Sequence, residues 1–185
     1  MTRAQLEHIL RASGAITDET EIVILGSQSI LGAFPTPPAA LCRSVEADAY
    51  PYNAPEKTDI IDGTIGELSP FHDAHGYYAH GITPETAVLA DGWQERLIPL
   101  RSPMTQGVTG LCLAPVDLAI SKLAAHRAKD IDFVRVMCEN GLFDTAVFHA
   151  LADTLPEPYR TLLPQTFATI LAGRTVTTLK EEDIP

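Results

Sequence analysis

Apolar positions along the chain fall into short blocks whose period changes from one segment to the next. From Thr2 to Ala12, Leu6, Ile9 and Leu10 recur at helical spacing, with Thr2 as a cap and Gly14 just past the end, which predicts a short amphipathic helix. After the polar connector Thr17-Asp18-Glu19-Thr20, the run Ile22-Val23-Ile24-Leu25 is too brief for a helix and predicts a buried strand. It stops at Gly26-Ser27-Gln28-Ser29. Ile30-Leu31 then continue as a short helix, ended by Gly32 and the prolines 35, 37 and 38. From Ser44 to Tyr50 polar and apolar residues alternate, the period of a half-buried strand. Val45, Ala47 and Ala49 are expected to face the core, with Ser44, Glu46 and Asp48 on the opposite face.

Further along, residues 51–61 read as a polar excursion, and Asp62 to Leu68 has the character of a helix start, kinked or restarted at Ser69-Pro70. Phe71 to Gly81 is rich in histidine. Two strands, Thr86–Leu89 and Gln94–Leu100, are expected to form a hairpin through Ala90-Asp91-Gly92-Trp93, with Asp-Gly as the turn signal. Thr109 to Leu113 reads as another short strand. Val116 to Cys138 reads as one long helix, because positions 116, 120, 123, 127, 131, 134 and 138 form a stripe that is apolar except for Arg127. An arginine there needs a partner, and Asp130 is the local one. Gly141 ends this helix. Two more amphipathic helices are expected over Phe143–Leu155 and Pro158–Ala172, then a frayed tail from Glu181. The expected organisation is a core over residues 1–140 with a C-terminal helical extension over 141–185.

The chemistry in this pattern centres on Glu46 and Asp48. On one strand face their Cα atoms would lie roughly 6.5–7 Å apart, near enough to repel each other or to share a divalent cation such as Mg²⁺. A solvated acidic edge strand is the plainer alternative. Gly26-Ser27, between a buried strand and a helix start, offers backbone N–H groups and the hydroxyls of Ser27 and Ser29 to an anion, although simple serine capping explains the same residues. His72 and His75, with Asp73 and His80, match no common zinc spacing. His72, Tyr77 and Tyr78 fit better as pocket-liners that stack on a base or sugar. Lys122, His126 and Lys129 would form a cationic row on one helix face, for which solvation is the default.

Composition narrows the field. The chain has 185 residues, 45% of them hydrophobic, as expected of a globular protein with a proper core. The formal net charge of −11 makes nucleic acid an unfavoured partner. Cys42, Cys112 and Cys138 are far apart with no CxxC spacing, so a reduced cytoplasmic setting is expected. Neither a signal peptide nor a membrane span is expected.

The order of strand, Gly-Ser turn, helix and acid-x-acid strand resembles the nucleotidyltransferase superfamily, to which DNA polymerase β belongs. Arg43-Ser44-x-Glu46-x-Asp48 is similar to the matching strand of its abortive-infection-type toxins. Closer still is a bacterial family of nucleotidyltransferase-like proteins. It shares Gly26-Ser27-Gln28-Ser29-Ile30-Leu31-Gly32, Ser44-x-Glu46-Ala47-Asp48-x-Tyr50-Pro51, Ile65-Gly66-Glu67-Leu68-Ser69-Pro70-Phe71-His72, Gly92-Trp93 with Arg96-Leu97, and Asp117-Leu118-Ala119-x-Ser121-Lys122-Leu123.

The resemblance implies an α/β (α+β) fold with a mixed sheet flanked by helices. It implies metal-dependent transfer of a nucleotidyl group from a nucleoside triphosphate to an unidentified hydroxyl acceptor. Glu46 and Asp48 would hold Mg²⁺ or Mn²⁺, with a third carboxylate at Glu95, or else Asp91. Gly26, Ser27 and Ser29 would cradle phosphates. In Lys122-Leu123-x-Ala125-x-Arg127-x-Lys129-Asp130-x-Asp132, a segment similar to a helix of the toxin-type enzymes, Lys122 would neutralise the triphosphate. Arg127, Lys129 and Asp130 would belong to the nucleotide site, Asp130 or Asp132 orienting the triphosphate or its basic partner. The alternative is a non-catalytic member acting on a protein partner, as in a toxin–antitoxin or phage-defence pair. It is motivated by Glu in place of the usual first Asp and by the lack of an obvious third acid.

Overall fold

A computed structural model describes residues 1–176; the predicted tail from Glu181 lies outside the described residues. The chain forms two compact units, one of residues 1–86 with 94–114, the other of residues 87–93 with those from Pro115 onward.

The first unit is built on a five-stranded mixed sheet of order β3-β2-β1-β5-β4. Helix α1 (Arg3–Thr17) opens on Thr2, the expected cap, in a full capping box, the Thr2 hydroxyl accepting from the Gln5 backbone and the Gln5 side chain accepting from Thr2. It runs through Gly14 instead of stopping before it, and ends where Asp18 turns left-handed. A side chain at Gly14 would meet Val108 Cγ2 at 2.4 Å, so this glycine permits close packing within the helix. The apolar run forms β1 (Glu21–Ile24), with Ile22, Val23 and Ile24 fully buried. A 3₁₀ turn (Ser27–Ser29) and α2 (Ile30–Ala33) follow.

The acid-bearing strand is β2 (Glu46–Pro51), antiparallel to β1. Ala47 and Ala49 are buried as expected, but Val45, which precedes the regular strand, is 47% exposed. Helix α3 (Thr58–Ile65) begins four residues earlier than the sequence suggests and is followed by α4 (Pro70–His75), whose N-cap is Ser69. The chain then returns as β3 (Tyr78–Gly81), parallel to β2. This strand lies inside the histidine-rich segment, where the sequence pattern predicts no strand. Gly81 donates its N–H to Asp62 Oδ1 at 2.8 Å, and a Cβ there would strike the Thr58 carbonyl at 2.5 Å.

The expected hairpin does not form. Residues 87–90 have no regular structure, Gln94–Arg96 is a 3₁₀ turn, and β4 (Ile98–Leu100) pairs antiparallel with β5 (Thr109–Cys112). The Asp91-Gly92 turn exists, but Ala90 and Trp93 beside it are buried rather than laid into a ladder. Strand β5 in turn lies parallel to β1. The sheet is thus mixed, and the α/β class expected from the sequence is the one observed.

The second unit contains α5 (Pro115–Ala125), α6 (Ala128–Glu139), α7 (Thr145–Ala152) and α8 (Tyr159–Leu171). The long helix predicted over 116–138 is broken at His126, whose φ is 51°. Arg127 is the N-cap of α6, so its slot in the apolar stripe falls on the break. A Schellman closure ends α6 at Gly141 (φ 61°), with Leu142 donating to the Met137 carbonyl and Gly141 to that of Cys138. The rings of Phe148 and Phe167, both fully buried, pack 4.4 Å apart between α7 and α8.

Candidate metal and phosphate site

The antiparallel register sets Asp48 across from the end of β1, where Leu25 donates its N–H to the Asp48 carbonyl at 3.0 Å. The Gly26 backbone therefore passes directly over the Asp48 carboxylate. A Cβ at Gly26 would lie 1.9 Å from Asp48 Oδ2, and the φ of 51° would strain any other residue as well. The acid strand and the Gly-Ser turn thus converge.

Ser29 is buried and its hydroxyl donates to the Gly26 carbonyl at 2.9 Å, closing the turn rather than facing outward. Ser27 is partly exposed. Gln28, buried, donates to the Ser44 carbonyl at 3.2 Å and so ties the turn to the approach of β2.

On the other side of β2, the parallel register pairs Asp48 with His80 and Glu46 with Tyr78. His80 Nδ1 lies 3.4 Å from Asp48 Oδ1 and 3.7 Å from Glu46 Oε1. The Tyr78 hydroxyl donates to Glu46 Oε2 at 2.7 Å. Its proton is thereby held well above the ordinary phenol range, chiefly by that bond and then by burial. The ring of His72 packs 4.7 Å from Tyr78. Tyr77 belongs to a different cluster, its hydroxyl 2.8 Å from His8 Nδ1 and its ring among those of Phe71 and His75. Both tyrosines are buried, so neither is the open stacking platform expected from the sequence.

Asp48 is the strained member of the site. Burial, the charge of Glu46 and a hydrogen bond with Glu46 raise its carboxyl from 3.8 to about 6, and His80 offsets only part of this. Two half-buried carboxylates in repulsion suit a cation. One ligand atom each from Glu46, Asp48 and His80 lies within 4.8 Å of the others. This donor set fits a divalent ion.

Glu95, the expected third acid, is exposed on the 3₁₀ turn Gln94–Arg96 and is not part of that group; Asp91 lies in the turn before it. His80 occupies the third place. The period-two spacing of Tyr78 and His80 was the available signal, because alternate residues of a neighbouring strand share a face with the acids.

In the second unit, Asp130 is buried and accepts from Lys122 Nζ at 2.7 Å and from Arg127 Nε at 2.5 Å. The pairing expected for Arg127 is present. Lys122 is itself buried, its ammonium 4.6 Å from the Phe133 ring centroid. The anticipated cationic row is not a solvated face, since Lys122 and His126 are buried and only Lys129 is exposed. Asp132 is exposed and accepts from Arg135.

A mixed sheet whose first strand ends in a Gly-Ser turn over an acid-x-acid strand defines a nucleotidyltransferase-type fold. The chain belongs to the family described as "Nucleotidyltransferase of unknown function" (DUF6036), whose profile matches residues 4–157. No curated protein and no solved structure matches it.

Proposed function

We propose that the protein is a divalent-metal-dependent nucleotidyltransferase that moves a nucleotidyl group from a nucleoside triphosphate to a hydroxyl acceptor. The observation that carries this reading is the Asp48 carboxylate set against the Gly26 backbone, with Glu46 beside it. Glu46 and Asp48 would hold Mg²⁺ or Mn²⁺, which when bound neutralises polyphosphate charge and acidifies an acceptor hydroxyl. Gly26 and Ser27 face the polyphosphate. Gly26 leaves room for the Asp48 carboxylate, which sets that acid directly beside the turn that would meet the phosphates. The acceptor oxygen bonds to the α-phosphorus, the bond to the bridging oxygen breaks, pyrophosphate leaves, and the hydroxyl proton passes to water. No covalent enzyme intermediate is needed, so positioning and charge neutralisation carry the rate.

A binding-only role is favoured by one observation, the presence of two carboxylates rather than three in the cation group. Thermal denaturation with a non-hydrolysable triphosphate tests the first requirement of the catalytic reading. With Mg²⁺ or Mn²⁺ and triphosphate at 100 times Kd, the folded state gains about 2.7 kcal/mol. Glu46→Ala and Asp48→Ala should each abolish the gain. A shift that survives both substitutions sinks the site assignment. Pyrophosphate release from a hydrolysable triphosphate, lost in Asp48→Ala, then separates transfer from binding.

A further inference from the structure

We infer that His80 is a direct ligand of the bound cation, and that it turns the site from a Mg²⁺ site into one that prefers Mn²⁺ and other nitrogen-tolerant divalent ions. The inference rests on the cation-binding part of the reading above, but not on turnover.

Three observations support it. The register of β2 and β3 places His80 opposite Asp48, so the imidazole reaches the acids from a neighbouring strand rather than a mobile loop. Its Nδ1 stands 3.4 Å and 3.7 Å from the nearest oxygens of Asp48 and Glu46. Adjacent ligands of an ion with bonds of about 2.2 Å are roughly 3 Å apart, so a shift of under about 1 Å brings the imidazole to ligand spacing from both carboxylates. Finally, the Tyr78 hydroxyl engages Glu46 Oε2, leaving Oε1, the oxygen nearer His80, for the ion.

Ligand chemistry then sets the preference. Mg²⁺ is a hard ion that takes oxygen donors and gives up water reluctantly. Imidazole nitrogen suits later first-row ions, and carboxylate oxygen suits Mn²⁺, so two carboxylates plus one imidazole favour Mn²⁺ over Mg²⁺. The His80 ring is about half exposed, which leaves room for water or a phosphate oxygen on the ion's open side.

The test is Mn²⁺ binding by electron paramagnetic resonance on the full chain, with Mg²⁺ as competitor. Wild type, His80→Asp, His80→Gln and Glu46→Ala are compared. Electron spin echo modulation from ¹⁴N should appear for Mn²⁺ on wild type and vanish in His80→Asp and His80→Gln. The ratio of Mg²⁺ to Mn²⁺ dissociation constants should fall by about tenfold or more in His80→Asp, which restores an oxygen ligand. Mn²⁺ bound in a Glu46-dependent way without nitrogen modulation overturns the role of His80 and leaves the carboxylate site standing. The same holds for an unchanged Mg²⁺/Mn²⁺ ratio in His80→Asp. Failure of Mn²⁺ to bind wild type any better than Glu46→Ala overturns both.

Discussion

Gly26 has no side chain at the place where Asp48 carries its carboxylate, and that single steric relation makes the site. A methyl group 1.9 Å from Asp48 Oδ2, on a residue with φ of 51°, forces either the turn or the acid to move. Gly26→Ala should lower stability by about 2 kcal/mol, roughly 4–8 °C in Tm for a chain of this size, and should remove the metal-triphosphate shift. A Gly26→Ala protein with unchanged Tm would mean that the turn does not press on the acid.

Asp48 should also impose a pH signature. Its carboxyl titrates at about 6 in the folded protein against an ordinary value of 3.8, so the native state binds the proton more tightly than the unfolded chain. Stability therefore falls as pH rises between about 4 and about 6, and the cost persists above that window. Asp48→Asn should accordingly raise Tm at pH 7 to 8, and this advantage should disappear as pH drops toward 4. Paired melting curves across that range check both the sign and the window. A stabilisation that grows at low pH would contradict the assignment.

Legibility in the sequence differed sharply between elements. Strands β1 and β2 were readable because a compact β-branched run and a strict alternation are local signals, and the Thr2 cap and Gly141 stop were equally local. Strand β3 was not readable. Tyr78-Ala79-His80-Gly81 is short, and what makes it a strand is pairing with β2 across the α3–α4 crossover. With β3 hidden, nothing local joins Tyr78 and His80 to the acids, and Glu95 is the acid that the sequence pattern offers for the third position.

The break between α5 and α6 is hidden for a different reason, since residues 124–128 contain neither glycine nor proline. The local signal there is Asp130 in the first turn of the new helix, where its charge suits the N-terminal dipole. Because it also accepts from buried Lys122 and from Arg127, Asp130 holds the α5–α6 turn together. Asp130→Asn leaves Lys122 buried with its charge uncompensated and should cost about 3 kcal/mol. A melting temperature within a degree of wild type would show that the pair contributes little.

Across the whole molecule, the formal charge of −11 sets a requirement on any anionic substrate. An uncomplexed triphosphate meets a repulsive field, and two carboxylates line the position it must reach. Triphosphate alone, with divalent ions chelated, should therefore leave Tm unchanged, whereas the metal complex should raise it. A shift of equal size in excess chelator would show binding at some other place. The chain belongs to a family described as nucleotidyltransferases of unknown function, and no helix of the described residues is long and apolar enough to cross a membrane.

The most direct test of the central claim is anomalous diffraction from crystals containing Mn²⁺ and a non-hydrolysable nucleoside triphosphate. We expect a manganese peak within about 2.5 Å of Glu46 Oε1 and an Asp48 carboxylate oxygen, with phosphate density against the backbone of Gly26 and Ser27. A triphosphate bound elsewhere, with Glu46 and Asp48 contacting only water, would contradict it.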